Sequence, residues 1–232
     1  MAKKVFIGVG HGGADPGAVA NGFKEKDLNL SIANACVAEL KRHGVEVKMS
    51  RNGDNDTTST QDINACNAYD PDLAVDIHNN AGGGDGAEVF YHHGGGTGKT
   101  LAVNILNEVV AIGQNSRGAK TRTNASGKDY YYFIREIVAP SVIVECAFVD
   151  NKTDMQIIDT EAERKKMGVA IAKGILKTLG VAYKAEETKV EQSTTKNLYR
   201  VQVGAYAVRE NAEAMLAKLK KAGFADAFIK AE

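Results

Sequence analysis

Residues 5–49 read VFIGVGHGGADPGAVANGFKEKDLNLSIANACVAELKRHGVEVKM, and the order of patterns inside that stretch decides the fold. The β-branched and aromatic run over 5–9 stops at glycines, which predicts a strand leading into a tight turn. Over 27–43, Leu28, Ile32, Cys36 and Leu40 recur at every fourth position. That spacing lines one face of an α-helix, and Gly44 supplies the stop. A second β-rich run follows over 45–49. Two strands joined by a helical crossover run parallel.

Outward from this unit the alternation continues, with strand patterns over 73–77, 87–91 and 141–145 and helical patterns from about Thr60, over 99–112 and over 161–179. Gly180 ends the last of these. The fold class expected is α/β, a mostly parallel sheet with helices on both faces. After Gly180 the character changes. Residues 184–196, KAEETKVEQSTTK, hold only Ala185 and Val190 as apolar residues and read as a solvated linker. Beyond it, LYRVQVGA over 198–205 alternates apolar and polar, 210–221 is helical with Ala212, Met215, Leu216 and Leu219 on one side, and 224–229 fits a further strand. The expected parts are a domain over 1–182, a linker over 183–196 and a β-α-β module over 197–232. The last is too small to bury a core alone.

With 29 basic against 29 acidic residues in a chain of 232, there is no bulk attraction to polyanions, and neither nucleic acid nor an anionic membrane is the expected partner. The opening MAKKVFIGVG has too few apolar residues for a secretory signal, and no run approaches a membrane span. The three cysteines, Cys36, Cys66 and Cys146, do not form a disulfide framework. Together these point to a protein folded in a reducing cytoplasm.

Chemistry concentrates at the strand ends. His11 lies in the glycine-rich turn after the first strand, His78 ends the strand LAVDIH, and Glu145 closes SVIVE, where an ionised carboxylate must be paired, hydrogen-bonded or beside a metal. Ligands of open α/β sheets bind at this edge. Glu25 precedes the first long helix, where a favourable interaction with the helix dipole is explanation enough locally. Taken together, two histidines and a glutamate suit a catalytic zinc, with the second glutamate left as a proton carrier for metal-assisted amide hydrolysis. The spacing alone, unlike a local motif such as HExxH, does not decide the matter.

GHGGADPGA around His11, KEKDLNLSIA around Glu25, DIHNNA around His78 and IVECAFVDN around Glu145, in that order, resemble the zinc-dependent N-acetylmuramoyl-L-alanine amidases of the amidase-3 type. RGAKTR from Arg117 and YYFIREIVAPSVIVE from Tyr131 extend the resemblance over about 3–180. It implies His11, Glu25 and His78 as Zn2+ ligands and Glu145 as the catalytic base and acid. It further implies cleavage of the amide between muramic acid and the first L-alanine of the stem peptide of bacterial peptidoglycan. Cys146 departs from the small residue often found after that glutamate. Asn80, two residues after His78, and Arg135 are the expected substrate contacts.

Rival readings are weaker on the residues. HGGGTGKT over 93–100 nearly spells a phosphate-binding loop, but His93 stands where that loop needs glycine. Asp76 as the magnesium acid of such a site shares its strand with His78. A cysteine-histidine peptidase would have to use Cys146, since Cys36 and Cys66 lie in helical patterns. His43 fits a helix C-terminus, and His92 and His93 fit a loop within reach of substrate. The run Tyr130 to Phe133 suits either a packed strand or a groove wall.

The segment 198–230 resembles the sporulation-related SPOR repeat, whose family role is binding peptidoglycan, with one β-α-β copy where the full domain has two. Homo-oligomerisation through the missing half is the resulting expectation. The whole reads as a phage endolysin, held in the host cytoplasm before lysis and then acting at the wall. The alternatives are a secreted or sporulation autolysin of the same chemistry and a wall-binding protein without turnover.

Overall fold

The computed structural model describes residues 2–185 and 202–230, which belong to two compact units divided after residue 185. The first unit contains, in order, β1 (Lys4–Val9), β2 (Val19–Ala20), β3 (Phe23–Lys24), α1 (Glu25–Arg42), β4 (Glu46–Met49), α2 (Ser59–Tyr69), β5 (Leu73–Asn80), β6 (Ala87–Tyr91), α3 (Gly96–Ala111), β7 (Ser116–Lys120), α4 (Tyr132–Glu136), β8 (Ser141–Phe148), α5 (Lys152–Met155) and α6 (Glu161–Leu179). The second holds α7 (Arg209–Lys221).

Six strands form one sheet in the order β4-β1-β5-β8-β6-β7. From β4 to β8 all pairings are parallel, while β6 runs antiparallel to β8 and carries β7 parallel to itself. The carboxyl ends of β1, β5 and β8 therefore share an edge, whereas β6 begins at that edge with Glu88 opposite Glu145 and leaves at the other with Tyr91 opposite Val142. His92 and His93, expected within reach of substrate, follow Tyr91 and lie toward the edge away from Glu145.

Alternation along each strand divides the side chains between two cores. Val5, Ile7, Val9, Val75 and Ile77 pack with Leu28, Ile32, Cys36 and Leu40 of α1, Ile105 of α3 and Ile171 of α6. On the opposite face, Phe6, Ala74 and Ile143 pack with Cys66 of α2 and Phe133 and Ile134 of α4. Helix boundaries follow local chemistry. Thr58 with Gln61 and Thr160 with Glu163 form capping boxes at the starts of α2 and α6, and Gly180 ends α6 in the left-handed conformation.

Two elements escaped the sequence patterns. β7 is an edge strand of sequence SRGAK without hydrophobic alternation, and the Tyr130 to Phe133 run contributes to the short helix α4 rather than a strand. In the second unit α7 forms where the helical pattern put it. Residues 202–208 and 222–230 carry no strand, and 198–201, like most of the expected linker, lie outside the described residues. A strand needs a hydrogen-bonding neighbour, and the segment after α7 instead turns on a bond from the Ala227 amide to the Phe224 carbonyl. No described helix is long and apolar enough to cross a membrane.

Candidate metal centre and active site

Four elements bring the site together. His11 follows β1 with φ of 60°, a left-handed conformation unfavourable for a residue with a Cβ, and it aims its ring at the start of α1. Glu25 opens α1, His78 projects from β5, and Glu145 pairs in register with His78 from β8. Glu25 lies between the two rings. Its Oε2 is 3.2 Å from His11 Nε2 and its Oε1 is 3.1 Å from His78 Nδ1. One donor atom from each of the three residues falls within a 4.8 Å cluster. Two imidazoles and a carboxylate at this separation suit a divalent transition ion with a coordination position left open.

The residues behind the three fix their orientation. Asp15 Oδ2 lies 2.7 Å from His11 Nδ1, and Asp76 Oδ2 lies 3.3 Å from His78 Nε2. Glu25 accepts from the amides of Ala18 and Asn79 at 2.9 and 3.1 Å and from the Asn29 side chain at 3.3 Å. Asn29 also donates to the Gly10 carbonyl and accepts from Asn79. Metal-ligating histidines and carboxylates commonly have such partners. Close approach dictates two glycines: a Cβ on Gly10 would stand 2.1 Å from the His78 ring, and one on Gly17 would stand 2.6 Å from Glu25.

Electrostatics follow the geometry. Burial opposes the charge on Glu25, but hydrogen bonds from His11 and His78 outweigh it and hold the carboxyl well below the usual range. The hydrogen bond to Glu25 raises His11. Burial favours neutral His78, yet the charge of Asp76 and the bonds to Asp76 and Glu25 lift it well above its ordinary value. Acidic groups thus surround both rings and favour positive charge at the centre of the cluster.

Glu145 behaves differently: burial pushes its carboxyl up to about 7, opposed by His78 and assisted by the charges of Glu25, Glu88 and Asp76. Its Oε2 is buried without a hydrogen-bond partner among the described residues. A buried polar atom left open beside a polar cluster is suited to a reacting water or substrate group.

Two clefts adjoin these residues, one lined in part by His78 and the other by Glu145. One of about 530 Å³ is lined by Asp76, His78, Tyr130, Tyr131, Tyr132 and Arg135. The other, about 540 Å³, is lined by Asn80, Glu88, Arg117, Arg122, Glu145 and Phe148. The structure brings His11, Glu25 and His78 into one cluster and sets Glu145 beside His78. Asn80 reaches the second cleft and donates to Glu88 at 2.9 Å, while Arg135 walls the first and donates to the Asp129 and Tyr130 carbonyls.

Asp15, Asn29, Asp76 and Asn79 were not singled out for these supporting contacts. A usable signal existed for two of them: Asn29 interrupts the apolar stripe of α1, and Asp76 stands two residues before His78, on the same face of the strand. The three cysteines are buried and free, and burial pushes Cys66 up to about 12 and Cys146 well above the ordinary thiol value. Neither environment activates a thiol.

Comparison with known proteins places the chain in a family. The family model for N-acetylmuramoyl-L-alanine amidase matches residues 5–177, and that for the SPOR domain matches 171–230. The chain is 33% identical over 230 residues to N-acetylmuramoyl-L-alanine amidase CwlM of Bacillus licheniformis, covering 97% of this chain and 84% of that protein. It is 32% identical to the sporulation-specific N-acetylmuramoyl-L-alanine amidase of Bacillus subtilis (strain 168), over 95% of this chain and 82% of the relative. An endolysin of Bacillus phage SPP1 is 31% identical over 80% of this chain and 69% of its own length.

Among solved structures, Cwp6 from Clostridium difficile superposes with a TM-score of 0.76 at 39% identity, covering 77% of this chain and 30% of the Cwp6 chain. The catalytic domain of CwlV, an amidase from Bacillus (Paenibacillus) polymyxa var. colistinus, gives a TM-score of 0.70 at 27% identity, over 78% of this chain and 99% of that one. The sheet, the site at its edge and these matches converge: the chain belongs to the N-acetylmuramoyl-L-alanine amidase family and is a peptidoglycan amidase that carries a SPOR domain.

Proposed function

We propose that His11, Glu25 and His78 hold a zinc ion and that Glu145 is the general base and then the general acid in hydrolysis of the amide between N-acetylmuramic acid and L-alanine. The observation that carries this reading is the pairing of a His/Glu donor cluster with a neighbouring buried carboxyl whose Oε2 has no hydrogen-bond partner among the described residues. A zinc ion at the cluster supplies a Lewis acid that polarises a carbonyl and makes water easier to deprotonate. Glu145 accepts the proton of the attacking water at its open oxygen and returns it to the departing amine of L-alanine. Its raised pKa suits both halves of that exchange near neutral pH. Asp15 and Asp76 keep the two rings oriented. Asn80 contacts substrate in the cleft that Glu145 lines and Arg135 in the cleft that His78 lines, where its guanidinium faces carboxylates of the stem peptide. Metal analysis of the purified chain with amine release from bacterial walls tests the assignment, since the reading requires zinc and turnover to be lost together.

The proposed division of labour is catalysis by 1–182, a tether over 183–196 and wall binding by 197–232, with tethering raising the effective concentration of substrate. Self-association through the wall-binding module is part of this proposal. Monomeric sedimentation of the full chain would exclude it. For biological role we infer an endolysin, held in the host cytoplasm until lysis and then acting at the wall, a reading supported by the match to the phage SPP1 enzyme. A sporulation or cell-wall autolysin is the second reading, favoured by the longer match to the sporulation-specific amidase. Timing of expression, during phage growth or during sporulation, separates them.

A further inference from the structure

A second cluster of the same donor types lies away from the catalytic edge. Asp129 is 2% exposed, and among the described residues its ion-pair partners are His92 and His93. One carboxylate oxygen, Oδ2, is 3.0 Å from His92 Nε2 and 2.7 Å from His93 Nδ1, while Oδ1 accepts the His93 amide at 2.9 Å. The two rings stack with centroids 4.6 Å apart, and each side chain is about half exposed, at 50% and 46%. The three donor atoms meet the same 4.8 Å limit as His11, Glu25 and His78. Buried Glu88 has Arg117 and Lys120 as partners, whereas among the described residues the ion-pair partners of Asp129 are imidazoles, which carry no permanent positive charge.

We propose that His92, His93 and Asp129 form a second binding site for a divalent transition ion of the zinc type, open to solvent on the histidine side. Imidazole and carboxylate donors suit such ions, and binding displaces the protons that the rings share with Asp129. His92 Nδ1 accepts the Gly94 amide at 3.0 Å, which turns Nε2 toward the carboxylate. Coordination through Nε2 leaves the ring proton on Nδ1, and the Gly94 amide then turns to solvent, as a glycine-only turn over 94–96 permits. The consequence reaches the cleft. Asp129 is bridged to Thr123, its carbonyl accepts from Arg135, and Asn124, Tyr130 and Tyr131 on the same segment line the wall beside His78. An ion at Asp129 ties this wall to the end of β6.

The test is titration of the metal-depleted full chain with Zn2+, read as ions bound per chain at micromolar concentration. Wild type is expected to bind two. A His92→Ala/His93→Ala variant, altered only at exposed rings, is expected to bind one, and a His11→Ala/His78→Ala variant is expected to retain one. In that last variant Zn2+ should also slow tryptic cleavage at Arg122 and Lys128, both exposed on the segment. Equal stoichiometry in wild type and His92→Ala/His93→Ala, or no binding to His11→Ala/His78→Ala, overturns the proposal. Loss of an ion only from the His11/His78 variant supports the catalytic centre while rejecting this site, so the two readings fail separately.

Discussion

Glu145 stands directly across the β5–β8 pair from His78, on the same face of the sheet, with one carboxylate oxygen buried and without a hydrogen-bond partner among the described residues. Register alone produces this proximity, because parallel neighbours in step present matching side chains to the same side. It separates the group proposed to move protons from the groups proposed to hold metal while keeping them one strand apart.

Replacing Glu145 by Gln preserves shape and removes the basic oxygen. Zinc content should stay at the wild-type level at the catalytic cluster, while release of L-alanine amino groups from walls should fall by about 10²–10⁴-fold. Comparable turnover in the zinc-loaded variant would show that another group carries the proton.

Gly10→Ala introduces a methyl 2.1 Å from the His78 ring position. Either the ring or the turn that presents His11 has to move. A displacement near 1 Å in a catalytic arrangement costs on the order of 100-fold in rate. Steady-state kinetics should show that loss in kcat/KM, with far-UV circular dichroism unchanged.

How much of this was legible in the chain depends on what each residue answers to. The helix stripe of Leu28, Ile32, Cys36 and Leu40 responds to local periodicity and lies where periodicity put it, whereas β5 and β8 run on past His78 and Glu145 to Asn80 and Phe148, so these two residues lie within strands and not at their ends. The reversal of β6 relative to β8 is a choice of tertiary pairing that no period encodes, and with it went the placement of His92 and His93. β7 was invisible because an exposed edge strand needs no hydrophobic alternation. Glu25 showed the opposite limit: its local setting offered only a helix dipole, and its partners come from Ala18, His78 and Asn79, brought in by folding.

Asp62, in the first turn of α2, has its carboxyl pushed up to about 6 by burial and by the charge of Asp76, with the Thr57 hydroxyl opposing. A raised carboxyl contributes stability that is complete below its unfolded value of 3.8 and is lost as pH rises through the folded value of about 6. Asp62→Asn should match wild type near pH 3.8 and exceed it above pH 6. Partial exposure and the helix dipole reduce the gain to about 1 kcal/mol. Urea midpoints at several pH values check this; a gain that is the same at acid and neutral pH would assign the effect to packing.

All three cysteines are buried, so none should react with a thiol reagent in the native state. Full labelling should appear only on unfolding. Rapid modification of native Cys146 with loss of activity would reopen a thiol mechanism.

The most direct test of the central claim is release of new L-alanine N-termini from purified peptidoglycan by the metal-depleted chain, before and after one equivalent of Zn2+ per catalytic cluster. The account predicts release that is absent without zinc, restored by it in wild type and not restored in His11→Ala/His78→Ala. Undiminished release from the metal-depleted enzyme, or zinc-restored release in that double variant, would contradict it.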